Sequence, residues 1–129
     1  MAQPGHFFLA RTTRAYPRLP YRKMKDDILG ASYTLSLVFV GRGRGRALHR
    51  AGRGKTRAPN ILSFPLTAND GEVFITPEVA RKEARARGMT ARGYVGYLFI
   101  HGLLHLKGMQ HGDTMERLEK AHCRRYTLG

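Results

Sequence analysis

The chain has 129 residues, of which 42% are hydrophobic, and this size and composition predict one compact domain rather than a disordered chain. No apolar run approaches the roughly 18 residues of a membrane span, and the single cysteine, Cys123, excludes an internal disulfide framework and indicates a reducing cytoplasm. The formal net charge of +14 predicts a polyanionic partner, with nucleic acid as the first candidate.

The positive charge is concentrated in the first half of the chain. Residues 1–58 contain 13 basic and 2 acidic side chains, whereas residues 59–129 contain 10 and 7. The densest basic run, residues 42–57, contains no acidic residue, and arginine, which outnumbers lysine 17 to 6 in the whole chain, can bind phosphate through two parallel hydrogen bonds. We therefore expect this run to contact phosphates, although a glycine-rich coil that only aids solubility is the alternative interpretation.

The pattern of the first part of the chain predicts strands and short helices. In chain order, the predicted elements are a short edge strand at 6–13, a helix at 20–29, a strand at 32–40 and a short basic helix at 47–53. An apolar run at 61–66 and an alternating run at 72–76 then predict a hairpin, because the turn residues Asn69, Asp70 and Gly71 lie between them.

Three helices are predicted in the last part of the chain, at 77–87, 90–107 and 113–126. The first has Pro77 at its first position with Thr76 as N-cap, and we expect Asp113 to cap the third. The middle helix is apolar at nine of thirteen positions over residues 94–106, which is typical of a helix buried on most sides. The expected fold is α+β, with a small mixed β-sheet packed with four to five helices in a single domain over residues 1–129, in which residues 1–5 are loose.

Three histidines carry the strongest chemical signal in the sequence. His101 and His105 are four residues apart on the predicted buried helix, so both rings project from one face. Gly108 can end that helix in a left-handed conformation and turn the chain back, so that His111 meets the other two. Three neutral imidazoles that converge in this way predict an open metal site with a fourth position for water, at the end of a central helix. The alternative is a pair of core histidines that bind no metal.

The spacing of these histidines matches the metzincin proteases, whose motif is H-E-x-x-H-x-x-G-x-x-H, except at one position. Gly102 occupies the place of the glutamate, which in those proteases takes the proton from metal-bound water. Because glycine has no side chain to act as a base, peptidase activity is disfavoured, whereas chemistry with a metal-activated water is retained.

The histidine segment, H-G-L-L-H-L-K-G-M-Q-H at residues 101–111, resembles the YbeY family of bacterial rRNA maturation factors, whose signature is close to H-G-x-L-H-L-x-G-x-D-H. Residues 59–65, P-N-I-L-S-F-P, resemble a second signature of that family, and residues 71–80 are similar to the strand and helix that follow it. The resemblance covers roughly residues 33–119. The chain departs from the family pattern at Gln110, where an acidic residue is usual, and at Pro59, where threonine is usual.

The resemblance implies a single-domain α+β fold and one Zn²⁺ ion held by His101, His105 and His111, although three imidazoles also suit nickel, cobalt or iron. It further implies a cytoplasmic endoribonuclease, specific for single-stranded RNA, that acts on the 3′ end of 16S rRNA and in quality control of the small ribosomal subunit. A non-catalytic, zinc-containing assembly factor of that subunit is the alternative. A zinc hydrolase of another substrate class, such as a peptidase, is a further alternative that Gly102 and the net charge disfavour.

The resemblance also places a catalytic arginine at Arg53, whose guanidinium is implied to stabilise charge at the reacting phosphate. Three nearby basic residues are alternatives for this role: Arg50, Lys55 and Arg57. Aromatic partners for stacked bases are few, because the chain contains no tryptophan and its aromatic helix residues are expected in the core: Tyr94, Tyr97 and Phe99. His49 and His122 are expected at the surface, and Cys123 is expected to pack rather than to bind a metal.

Overall fold

A computed structural model of the protein describes residues 5–13, 15–45, 47 and 60–128. The elements are, in chain order, β1 (Phe7–Arg11), α1 (Tyr21–Leu29), β2 (Thr34–Phe39), β3 (Ile61–Thr67), β4 (Asp70–Ile75), α2 (Pro77–Ala86), α3 (Ala91–Leu106) and α4 (Asp113–Arg125). Residues 42–45 form a further helical turn. The predicted basic helix at 47–53 lies outside the described residues, apart from Ala47. This arrangement of strands and helices confirms the α+β prediction.

The four strands form one mixed sheet in the order β1-β2-β4-β3. β2 is parallel to both β1 and β4, whereas β3 and β4 are antiparallel and form the predicted hairpin. β1 lies at one edge of the sheet, as predicted, and β3 lies at the other. The edge position of β3 accommodates Pro65, because proline cannot donate a hydrogen bond to a second neighbouring strand. The register of the hairpin shifts between Pro65 and Thr67.

One face of the sheet forms the core together with α3. Side chains alternate between buried and half-buried along both β2 and β4, as expected for strands with one face packed on helices. Ten of the sixteen residues of α3 are buried, and α3 contacts α1, α2, α4, β3 and β4. The predicted central buried helix is therefore confirmed. Within the described residues, no helix is long and apolar enough to cross a membrane.

The helix ends agree with the sequence at most positions. Thr90 is the N-cap of α3, where its hydroxyl accepts a hydrogen bond from the backbone N–H of Gly93 at 3.0 Å. Pro77 is the first residue of α2, although the side chain of Thr76 makes no capping bond. The prediction that Asp113 caps α4 was wrong. Gly112, with φ of +156°, takes the cap position because this backbone conformation is open to glycine, and Asp113 begins the helix.

A buried lysine joins the end of α1 to the start of β2. The Lys25 side chain is almost completely buried, and its Nζ donates hydrogen bonds to the carbonyl oxygens of Tyr33 at 2.7 Å and Gly30 at 3.3 Å. Its ammonium also forms an ion pair with Asp26 at 2.6 Å. A buried charge is tolerated only when it is paired and hydrogen-bonded, and these three oxygens meet that requirement. Lys25 therefore stabilises the fold on the side of the sheet that supports α3.

Candidate metal centre

The structure brings the three predicted histidines together at the end of α3. The rings of His101 and His105, one turn apart on that helix, have centroids 4.5 Å from each other. After the helix, Gly108 adopts a left-handed φ of +102°, and the chain returns so that the His111 ring lies 5.0 Å from His101 and 4.6 Å from His105. One ring nitrogen from each histidine lies within 4.8 Å of the others, so the group has the geometry to hold a metal ion.

Hydrogen bonds at the Nδ1 atoms set the tautomers of two of these rings. Nδ1 of His101 lies 2.6 Å from a carboxylate oxygen of Glu119, and Nδ1 of His105 lies 3.0 Å from the backbone carbonyl oxygen of Met109. Because an ionised carboxylate and a carbonyl can only accept, each Nδ1 carries the proton and donates it. In the neutral form of each ring, Nε2 then presents a lone pair.

The two Nε2 atoms point at each other across 3.0 Å. Burial, together with the nearby imidazole of His101, lowers the pKa of His105, which favours the neutral form of the His105 ring. Two neutral ring nitrogens at this distance can bind the same metal ion. The donor set therefore fits a metal such as zinc, which takes neutral imidazole nitrogens as ligands.

Glu119 is a residue of the candidate site that the sequence analysis missed. Its side chain is only 6% exposed, and it lies on α4, where it meets His101 across the interface with α3. The available signal was its position among apolar residues at helical spacing, which are Met115, Leu118 and Cys123 on α4 and Tyr126 directly after it. An acidic residue within such a stripe needs a buried partner. Cys123 packs against the core, as predicted, and is partly buried.

Gly102, the residue that replaces the protease glutamate, lies against β3. A Cβ atom at this position would lie 2.8 Å from both Cδ1 of Ile61 and Oγ of Ser63. The strand thus occupies the space into which any longer side chain would project. The absence of a glutamate next to His101 is therefore built into the packing of β3 on α3.

Several predicted residues are not part of the described site. Arg53 and its alternatives Arg50, Lys55 and Arg57, together with His49, lie outside the described residues, so the role of Arg53 stays a prediction. Arg42 and Arg44 are described and exposed, in the helical turn that follows β2.

Two residues are placed differently from expectation. His122, expected at the surface, is partly buried, and this burial lowers its pKa. Tyr97, expected in the core, is only partly buried, and its ring centroid lies 6.2 Å from that of His101. Tyr97 therefore belongs to the surroundings of the histidines.

Comparison with known proteins identifies the family of the chain. The pattern of the family described as Endoribonuclease YbeY matches residues 15–126. A protein named Endoribonuclease YbeY from Cupriavidus metallidurans is 33% identical over 119 residues, and one from Neisseria meningitidis is 32% identical over 124 residues. These alignments cover 85% and 86% of this chain, but only 60% and 71% of the two relatives.

A solved structure supports the same fold. The solution structure of a Thermotoga maritima protein superposes with a TM-score of 0.70 at 22% identity, covering 91% of this chain and 86% of that one. The structural likeness shows that the two proteins share a fold, whereas the family pattern and the two relatives show which family this chain belongs to. The chain belongs to the YbeY family.

Proposed function

We propose that this chain is a metal-dependent endoribonuclease that cuts single-stranded RNA. The observation that carries the proposal is the convergence of three imidazole rings: the Nε2 atoms of His101 and His105 lie 3.0 Å apart, and His111 lies beside them. Such an arrangement is stable when a cation is shared. The name that the two bacterial relatives bear, Endoribonuclease YbeY, supports RNA as the substrate.

The metal that we propose is Zn²⁺, with His101, His105 and His111 as its ligands. When bound, a zinc ion supplies Lewis-acid polarisation of the reacting phosphodiester. The protein contributes the fixed orientation of the rings, because the bond from His101 to Glu119 and that from His105 to Met109 hold both in place.

Basic residues upstream of the site supply the contacts to RNA. Arg42 and Arg44 are exposed and suited to bind phosphates without reading bases. In the resemblance to the family, Arg53 stabilises the charge that develops at the phosphate under attack. The run that contains it leads along the chain directly into Asn60 and β3, which lie beside the histidines. In sequence, the basic run thus directly precedes the strand that lies beside the histidines.

The family resemblance also supports a biological role. We propose that the substrate is 16S rRNA, near its 3′ end, within the small ribosomal subunit, and that the protein acts in the cytoplasm in maturation and quality control of that subunit. The net charge of +14 agrees with a partner that is rich in phosphate.

Two observations favour this function over its alternatives. A non-catalytic assembly factor with structural zinc would close the site with four protein ligands, whereas the described group contains three histidines and His111 is exposed. A peptidase would need a base next to His101, and this position holds Gly102, where a side chain would require Ile61 and Ser63 to shift.

The test compares one RNA in two forms. Metal-loaded protein is expected to cut a single-stranded RNA and to leave the same strand intact when it is annealed to its complement. His111→Ala is expected to abolish cleavage, whereas His6→Ala, at another exposed histidine far along the chain, retains it. Equal cleavage by His111→Ala and the unaltered protein would overturn the proposal.

A further inference from the structure

A cavity of about 190 Å³ lies directly beside the histidine group. Its lining includes Asn60 at the start of β3, Arg87 at the end of α2, and Tyr94, Tyr97 and His101 along one side of α3. Because His101 is one of its walls, any molecule in the cavity lies next to one of the proposed metal ligands. The volume is below the roughly 300–1,000 Å³ of sites for drug-sized ligands, so it suits a single flat ring system.

Two tyrosines form an aromatic wall of this cavity. The rings of Tyr94 and Tyr97 are nearly parallel, at 21°, with centroids 6.0 Å apart. Tyr94 is buried, and its hydroxyl donates a hydrogen bond to Glu83 at 3.1 Å, so this ring is held in place. Tyr97 is partly exposed and lies between Tyr94 and His101. An aromatic face is thus available to a ligand within reach of the metal ligands.

A cation and an amide complete the polar part of the cavity. The guanidinium carbon of Arg87 lies 5.2 Å from the centre of the Tyr94 ring, and the residue is exposed. Within the part of the chain that the structure describes, Arg87 forms no ion pair with a carboxylate. The Asn60 side chain donates a hydrogen bond to Glu83 at 2.9 Å, which fixes the position of its amide. Arg87 is thus available to an anion.

We propose that this cavity binds one nucleotide of the RNA strand, next to the phosphodiester that is cut, with its base against Tyr97 and its phosphate against Arg87. The inference rests on the proposed function and adds to it a subsite for the substrate. A flat aromatic face beside an exposed guanidinium is the combination by which proteins hold single-stranded RNA, because every base can stack and every nucleotide carries a phosphate. A paired base cannot enter a cavity of this size without leaving its partner, so the subsite also gives a physical reason for a preference for single strands.

Fluorescence of a base analogue tests the subsite directly. The probe is a single-stranded octaribonucleotide with one 2-aminopurine, whose emission falls when it stacks on an aromatic ring. Tyr97→Leu and Arg87→Gln are each expected to raise the dissociation constant roughly 5- to 20-fold, and Tyr97→Leu to reduce the quenching. Tyr97→Phe retains the ring and is expected to bind within about twofold of the unaltered protein.

Arg85→Gln provides the matched control for charge. Arg85 lies on α2, two positions before Arg87. It is exposed and projects from nearly the opposite side of the helix. Its variant is expected to bind within about twofold of the unaltered protein, since it removes the same charge without touching the cavity. The melting temperature of each variant separates loss of binding from loss of folding.

The outcomes distinguish the subsite from the proposed function. If the unaltered protein cuts the RNA while Arg87→Gln and Tyr97→Leu bind as tightly as Arg85→Gln, the subsite is overturned and the proposed function stands. If Tyr97→Leu reduces the quenching of 2-aminopurine seen with the unaltered protein, but the unaltered protein never cuts the RNA, the subsite stands and the proposed function is overturned.

Discussion

The carboxylate of Glu119 lies 2.6 Å from Nδ1 of His101, with the two residues on different helices, α4 and α3. This bond fixes both the tautomer of the ring and its orientation. Metal-ligating histidines commonly donate their second ring N–H to a carboxylate or a carbonyl. We therefore expect the affinity of the site for metal to depend on how α4 packs on α3, because that packing places Glu119 beside His101. α4 is thus part of the proposed catalytic apparatus, although it contributes no ligand.

The first prediction concerns this carboxylate. Glu119→Gln is expected to weaken metal binding about 10- to 100-fold, because an amide accepts a weaker hydrogen bond from His101 than a carboxylate does. Competition with a coloured chelator measures the affinity. Glu116→Gln, at an exposed position of the same helix, is the control and is expected to bind metal normally. Equal affinities of the two variants would show that Glu119 has no orienting role.

The second prediction concerns the glycine that replaces the protease glutamate. Gly102→Glu is expected to destabilise the protein by about 1–3 kcal/mol, because the new side chain clashes with Ile61 and Ser63. Chemical denaturation measures the free energy of unfolding, with Gly43→Glu as control, since a Cβ at position 43 meets nothing within 4 Å. Neither variant is expected to cut a peptide. Equal free energies of unfolding for Gly102→Glu and Gly43→Glu would contradict the packing argument.

The third prediction concerns the salt dependence of RNA binding. Replacing both Arg42 and Arg44 with glutamine is expected to reduce the slope of log affinity against log salt concentration by up to about 1.4, because each phosphate that a protein neutralises on a single strand contributes roughly 0.7 to that slope. The same double change at Arg117 and Arg124, exposed on α4, is the control. An unchanged slope in the Arg42 and Arg44 variant would indicate that these two arginines only aid solubility.

The fourth prediction concerns the buried lysine. Lys25→Met is expected to lower the free energy of unfolding by about 1–3 kcal/mol, because methionine fills the space but removes the side-chain donor to the carbonyls of Tyr33 and Gly30. Lys23→Met, on the exposed side of the same helix, removes a surface ion pair with Asp27 and a contact of the ammonium with the Tyr126 ring, and it is expected to cost less than about 1 kcal/mol. A smaller loss from Lys25→Met than from Lys23→Met would contradict this account.

The sequence was most informative where the chemistry depends on neighbouring residues. The convergence of His101, His105 and His111 was predictable, because helical spacing and the conformational freedom of Gly108 are local properties. The hairpin of β3 and β4 was predictable for the same reason, since turn residues separate two apolar runs. The α+β class then followed from the order of the elements.

The remainder of the site depends on contacts between distant parts of the chain. Glu119 lies 18 positions from His101, and their contact depends on how α4 packs on α3. The apolar pattern of its helix predicts Tyr97 in the core, but the cavity beside it exists only where α2, α3 and the start of β3 meet. The hydrophobic pattern of one helix does not reveal which of its sides will face a cavity that forms where it meets two other elements.

The measurement that tests the central claim most directly joins metal content to RNA cleavage in the same samples. The purified protein is expected to contain one metal ion per chain, to lose cleavage of single-stranded RNA when a chelator removes it, and to regain cleavage when Zn²⁺ is restored. His105→Ala is expected to bind no metal and to cut no RNA. Undiminished cleavage by metal-free protein, or by His105→Ala, would contradict the account.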